Sequence, residues 1–128
     1  MGLHMSVAAM DLAIARLEAR TAVPAWAMAG GFFSITRTPG ELSVVAEHTR
    51  IPSGMPADGG WCALKVEGPL PLSAVGVLHS ISGPLAGAGI SIFAVSTHDT
   101  DYILVKVEAM ERAVRALSAA GHTVVGPA

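Results

Sequence analysis

The 128-residue chain is 52% hydrophobic and 14% charged, where soluble domains carry about a quarter charged residues, and its mean hydropathy is +0.54. Those figures exclude disorder, which needs low hydrophobicity and high charge. A net charge of −2 with no basic run excludes the clustered positive footprint that nucleic acid demands.

Thirty positions, Gly68 to Thr97, pass without an Asp, Glu, Lys or Arg, which raises the question of a membrane span. Pro69, Pro71, Gly76, Gly83 and Pro84 break that run, so no membrane segment is expected. The single Cys62 permits no internal disulfide and no multi-cysteine metal cluster. With no secretory n-region and h-region at the start, a reducing cytoplasm is the expected compartment.

In chain order, Leu12–Leu17 reads as a short, partly alternating strand, and Thr21–Met28 has room for a turn or two of helix. Phe32–Thr38 and Glu41–Glu47 read as strands joined at Pro39-Gly40, a strong turn pair. Thr49–Gly60 is loop or linker chemistry. Trp61–Glu67 alternates, with Cys62, Leu64 and Val66 on one face and Lys65 and Glu67 on the other. Leu70–Ala88 carries Leu72, Val75, Leu78, Ile81 and Leu85 at helical spacing. Its Gly-Pro start suits a helix entrance, and Gly83-Pro84 should kink or restart its last turns.

Ile90–Ser96 and Tyr102–Val107 are strands around the polar turn Thr97–Asp101. A helix follows with Met110, Val114 and Leu117 inward and with Glu108/Arg112 and Glu111/Arg115 as outward pairs. Gly121 ends it, and His122–Val125 is a short last strand. The order of this half is βαββαβ, the ferredoxin-like arrangement of an α+β protein.

A shift of sixty residues, without gaps, lays Phe33 on Phe93, Ile35 on Val95, Thr36 on Ser96, Glu41 on Asp101, Val44 on Leu104 and Val45 on Val105. Two hairpins can match because both alternate. A degenerate duplication accounts better for the shared approach to each hairpin. The expected organisation is a truncated N-terminal module, residues 11–58, packed on a complete C-terminal one, residues 60–126.

Three segments, PAWAMAGGFFSITRTPGELSVV, GWCALKVEGPLPLSAVGVLHSISGPLAGAGISIFAVSTHDTDYILV and ERAVRALSAAGHTV, together resemble the ACT-domain family. The likeness is to small bacterial tandem-ACT proteins related to the cytosolic arginine sensors and to the regulatory region of aspartate kinases. Its most specific parts are Val66-Glu67-Gly68-Pro69-Leu70 and Ile90–Thr97 with Asp99–Tyr102. The resemblance implies a regulatory module that binds an amino acid at domain interfaces, without catalysis of its own and without a cofactor. It also implies ligand contacts on Ser96, Thr97 and Asp101. The first module departs from the pattern, since Arg37-Thr38-Pro39-Gly40 replaces the Asp-bearing turn.

The topology adds a physical argument. The first two strands of βαββαβ run parallel, so the Gly68–Pro71 segment and the Thr97–Asp101 turn share one sheet edge. A helix entrance there would offer unpaired N–H groups to a carboxylate, and Asp99 and Asp101 would offer negative charge to an ammonium. A zwitterionic amino acid presents both charges. The candidate ligand-binding residues are therefore Gly68, Pro69, Leu70, Ser96, Thr97, Asp99 and Asp101. Against this, Asp commonly serves tight turns and nothing more, and Gly68 also reads as a strand terminator.

His98 with Asp99 and Asp101 meets neither zinc nor calcium-loop spacing, so no metal is expected. Cys62 reads as buried and inert, and no Ser has a nucleophile-elbow context. Trp26 and Trp61 read as packing residues. Ile90, Ile92 and Ala94 against Phe93 and Val95 make both faces of one strand apolar. One layer of helices covers one face, so pairing with the first module or a second chain, a homodimer, is expected. The competing functions are an amino-acid sensor, acting on a regulated protein in another chain, and a ligand-free interaction or dimerisation module.

Overall fold

Alternation and turn chemistry resolve into seven strands and two helices over residues 2–126, the part of the chain that the computed structural model describes. They are β1 (His4–Leu17), β2 (Phe33–Thr38), β3 (Glu41–Glu47), β4 (Asp58–Val66), α1 (Val77–Gly87), β5 (Phe93–Ser96), β6 (Asp101–Lys106), α2 (Met110–Ala119) and β7 (Thr123–Val125). Short 3₁₀ turns occupy Ala25–Met28, His48–Arg50 and Val107–Ala109. The chain divides into two units, one of Met10–Trp61 and one combining Met1–Ala9 with Cys62–Ala128.

In the Met10–Trp61 unit, β3 lies between β2 and the later half of β1, antiparallel to both. The hairpin turn is Pro39-Gly40, with Thr38 opposite Glu41. Leu42, Val44 and Ala46 point into a core shared with Ala13, Ala15, Ala27 and Ile51, against which Trp26 and Ile35 pack. The guanidinium of Arg37 donates to the carbonyls of Ala19 and Thr21, which ties the β2 end to the β1–β2 connection.

In the other unit the strand order is β7-β1-β4-β6-β5, using the early part of β1. Met5, Cys62, Leu64, Val66, Ile103 and Val105 face one side of the sheet and meet Val77, Ile81, Leu85, Met110, Ala113 and Leu117 of the two helices. The alternation read for β4 holds, and Cys62 is buried with its Sγ donating to Ala8 O at 3.3 Å. In α2, Val114 packs at the edge of the core and Ala113 takes the central place between Met110 and Leu117. Arg115 pairs with Glu111 at 2.9 Å, four residues apart.

Both helices stop the same way. Gly89 (φ 72) and Gly121 (φ 97) take the left-handed position, and Ile90 and His122 donate back to Leu85 O and Leu117 O. This is the Schellman closure that a glycine after the last turn permits.

Four expectations are corrected. The first strand begins at His4, not Leu12, and its early part lies between β7 and β4. The last strand pairs with this early part of β1, His4 opposite Thr123. The helix expected over Leu70–Ala88 begins only at Val77: Pro71 and Ala74 close an isolated turn, and Gly76 at φ 81 interrupts any helix before it. Leu72 and Val75, read as part of the buried stripe, are 74% and 85% exposed; the stripe is Val77, Ile81 and Leu85. Pro84 does not restart the helix, which continues through it to Gly87. Finally, the gapless shift of sixty does not reproduce the hairpin pairing. Thr36 faces Ser43, whereas Ser96 faces Asp101, because the second turn is two residues longer.

On β5, Phe93 and Val95 are half-buried and Ala94 is exposed. Among the described residues no helix is long and apolar enough to cross a membrane.

Candidate ligand-binding site

The carboxyl ends of β4 and β5 meet at one sheet edge, and a chain of hydrogen bonds locks them there. Thr100, the last residue of the β5–β6 turn, is buried, and its Oγ1 donates to Val66 O at 2.6 Å. Its N–H donates to Thr97 Oγ1 at 3.2 Å, while the Thr97 N–H donates to Thr100 O at 2.8 Å. From the other side, the Leu70 N–H donates to Asp99 O at 2.6 Å. Gly68 allows this approach, since a Cβ there would lie 2.9 Å from Asp99 O. The short polar turn is thus a rigid wall, built on a buried threonine between the exposed Asp99 and the half-buried Asp101.

Across the hairpin, the Ser96 hydroxyl donates to Asp101 Oδ1 at 2.6 Å and orients that carboxylate at the mouth of the turn. His98 Nδ1 lies 3.0 Å from Asp99 Oδ1, and both side chains are well exposed. Facing this wall is a cavity of about 420 Å³, bounded by Leu70, Pro71, Leu72, Ala74, Gly76–His79 and Ser96–Asp101. That volume lies within the range of small-molecule sites.

The first turn of α1 supplies the opposite wall. No side chain caps its N-terminus at Gly76, so its leading N–H groups carry the donor capacity and partial positive charge of a helix start. The cavity therefore sets two carboxylates against a helix N-terminus, with Leu70, Leu72, Val77 and Leu78 as apolar walls. Such an arrangement can hold a small molecule bearing both charges. Among the described residues, no group of three or more His, Cys, Asp or Glu could hold a metal ion.

Of the candidates read from the sequence, Leu70, Ser96, Thr97, Asp99 and Asp101 line this cavity, while Gly68 and Pro69 do not. Gly68 acts one step back, through its contact with the turn. The N–H groups expected at Gly68–Pro71 come instead from Gly76–His79, because the helix starts later. Sequence reading missed Ala74, the Gly76–His79 wall and the anchoring role of Thr100. A glycine at position 76, between a proline-rich stretch and a regular apolar spacing, was the available signal for the helix start. Nothing local marks Thr100 as buried.

Comparison with known proteins follows the same division of the chain. A family model described as an ACT domain matches residues 57–119, and a model for an N-terminal domain matches residues 11–54. A crystallised Agobacterium tumefaciens protein, Atu0741, is 41% identical, with 98% of this chain and 93% of that one covered at a TM-score of 0.91. The regulatory subunit of aspartate kinase from Thermus thermophilus superposes with a TM-score of 0.61 at 12% identity, covering 86% of this chain and 91% of that one. At that identity the likeness is one of fold. The Homo sapiens protein CASTOR3P is 33% identical over an 87-residue alignment that covers 58% of this chain and 53% of that protein. The matched stretch thus spans about half the length of this curated relative.

Proposed function

The chain belongs to the ACT-domain family, and on that premise we propose that it is a non-catalytic regulatory module whose C-terminal domain binds an amino acid. The ligand occupies the cavity between the first turn of α1 and the Ser96–Asp101 turn, its carboxylate on the helix N–H groups and its ammonium on Asp101 and Asp99. One observation carries this reading: oppositely charged binding elements, a helix start and an oriented acidic turn, line a single cavity of ligand size. Gly68 and Pro69 contribute by shaping the turn. Any regulated protein is another chain, no cofactor takes part, and the compartment is cytoplasmic. Residues 11–58 and 60–126 are read as a truncated and a complete copy of one ancestral module.

A second reading has its own support. Leu72, Val75 and Leu78 are exposed beside the cavity, and apolar surface of this kind suits self-association. In that version the chain is a dimerisation or interaction module without a ligand.

A thermal-shift screen of the twenty amino acids separates the two. A ligand present at a hundred times its Kd stabilises a protein by about 2.7 kcal/mol. The sensor reading requires that one amino acid raises Tm at millimolar concentration and that Asp101→Ala abolishes the rise while leaving the protein folded. A flat response across the panel leaves the interaction module standing.

A further inference from the structure

Pro84 sits inside α1 and has no N–H, so the carbonyl four residues earlier, on Ser80, lacks a helical donor. The buried His122 supplies one. Its Nε2 lies 2.9 Å from Ser80 O, and its Nδ1 lies 3.0 Å from the backbone nitrogen of Leu3. A carbonyl only accepts and an amide N–H only donates. The imidazole therefore carries its proton on Nε2, donating to Ser80 and accepting from Leu3. The closure of α2 at Gly121 places His122 there, its own N–H donating to Leu117 O. One ring thus joins the segment leading into β1, the first turns of α1 and the end of α2.

Ser80 is where this reaches the cavity. Its N–H donates to Gly76 O at 2.9 Å, its Oγ donates to Val77 O at 2.8 Å, and Gly76–His79 form the cavity wall. We infer that His122, which does not touch the cavity, is a positioning residue for it: through Ser80 it holds the first turn of α1 where its N–H groups meet a bound carboxylate. This rests on the amino-acid reading above. A phenyl ring in its place would fill the same space but leave Ser80 O and the Leu3 N–H without their partner. Pro84→Ala is the complementary change, because it returns a helical N–H to Ser80 O without restoring the link to Leu3.

The test uses the full chain and the amino acid that gives the largest thermal shift in the panel of twenty. Its Kd is measured by calorimetry well below each variant's Tm for wild type, His122→Phe, Pro84→Ala and the double variant. His122→Phe is expected to lower Tm and weaken binding about tenfold, while Pro84→Ala alone stays within about twofold of wild type. The double variant is expected to regain part of the Tm but keep the weakened Kd. A purely structural histidine would lower Tm and leave Kd unchanged, and that result overturns the inference while leaving the amino-acid reading intact. A wild type that answers to none of the twenty overturns the amino-acid reading and the inference with it.

Discussion

Gly68 stands where the end of β4 passes the β5–β6 turn. A Cβ at this position would meet Asp99 O at 2.9 Å and both Leu70 N and Thr100 Cβ at 3.3 Å. Two of those atoms are backbone, so they cannot swing aside as a flexible side chain would. Gly68→Ala is therefore expected to cost about 1–3 kcal/mol, read as a lower midpoint in chemical denaturation. An unchanged midpoint would mean that the strand end and the turn separate freely. The sequence singles out Gly68, but as a strand terminator or a ligand contact. Its contact with a carbonyl on a turn some thirty residues later is invisible to any local pattern. The same holds for Thr100, whose hydroxyl bond to Val66 O distinguishes it from an ordinary polar turn residue. By contrast, the placement of the Thr97–Asp101 turn at the same sheet edge as Gly68 was legible, because it follows from chain order and the parallel-strand rule, whereas ligand contacts on Ser96 and Asp101 were implied by the family resemblance.

Elements whose identity rests on short-range chemistry were read almost to the residue. β3 occupies Glu41–Glu47 as its alternation and the Pro39-Gly40 turn require, and α2 ends before Gly121 as expected. α1 was misread at its start because Leu72, Val75 and Leu78 continue the spacing of Ile81 and Leu85 by coincidence. Periodicity reports which residues could share a helix face; the left-handed Gly76 decides that the first two do not. This difference is measurable. Leu85, wholly buried, is expected to cost about 2–5 kcal/mol when changed to Ala, whereas Leu72→Ala, exposed within the single chain, should stay within about 0.5 kcal/mol when titrated at concentrations low enough to keep the chain monomeric. Equal losses in denaturant titrations would place Leu72 in a packed environment after all. The early part of β1 is the opposite case. Met5-Ser6-Val7-Ala8-Ala9 has little strand character, yet it is a strand because β7 and β4 flank it, and pairing overrides weak propensity.

At the scale of the molecule, the expectation that greasy composition means pairing takes a more definite form. The uncharged run from Gly68 to Thr97 supplies the buried face of α1 and the half-buried Phe93 and Val95 of β5, but it also leaves Leu72, Val75 and Leu78 exposed beside the cavity. A homodimer covering them is expected, with a solution mass twice the 13.0 kDa of the chain by light scattering or sedimentation. A stable pair would bury about 1,200–2,000 Å² in total. Leu72→Asp with Val75→Asp should then return a monomer, since charge at the centre of such a patch has no partner. A wild-type monomer at tens of micromolar removes the dimer from the proposal.

The low charge and the two hairpins, together with the βαββαβ order of elements and an acidic turn beside a proline-rich strand exit, are properties that the sequence by itself determined. Each rests on interactions between residues a few positions apart, which composition and periodicity record directly. The tertiary structure alone decided that β1 lies between the last strand and β4. It also decided that the two hairpins differ in register, that α1 starts at Gly76 and that His122 completes the hydrogen bond Pro84 cannot make. These depend on partners distant in the chain, where burial and the satisfaction of backbone polar groups choose among arrangements that local patterns leave equal.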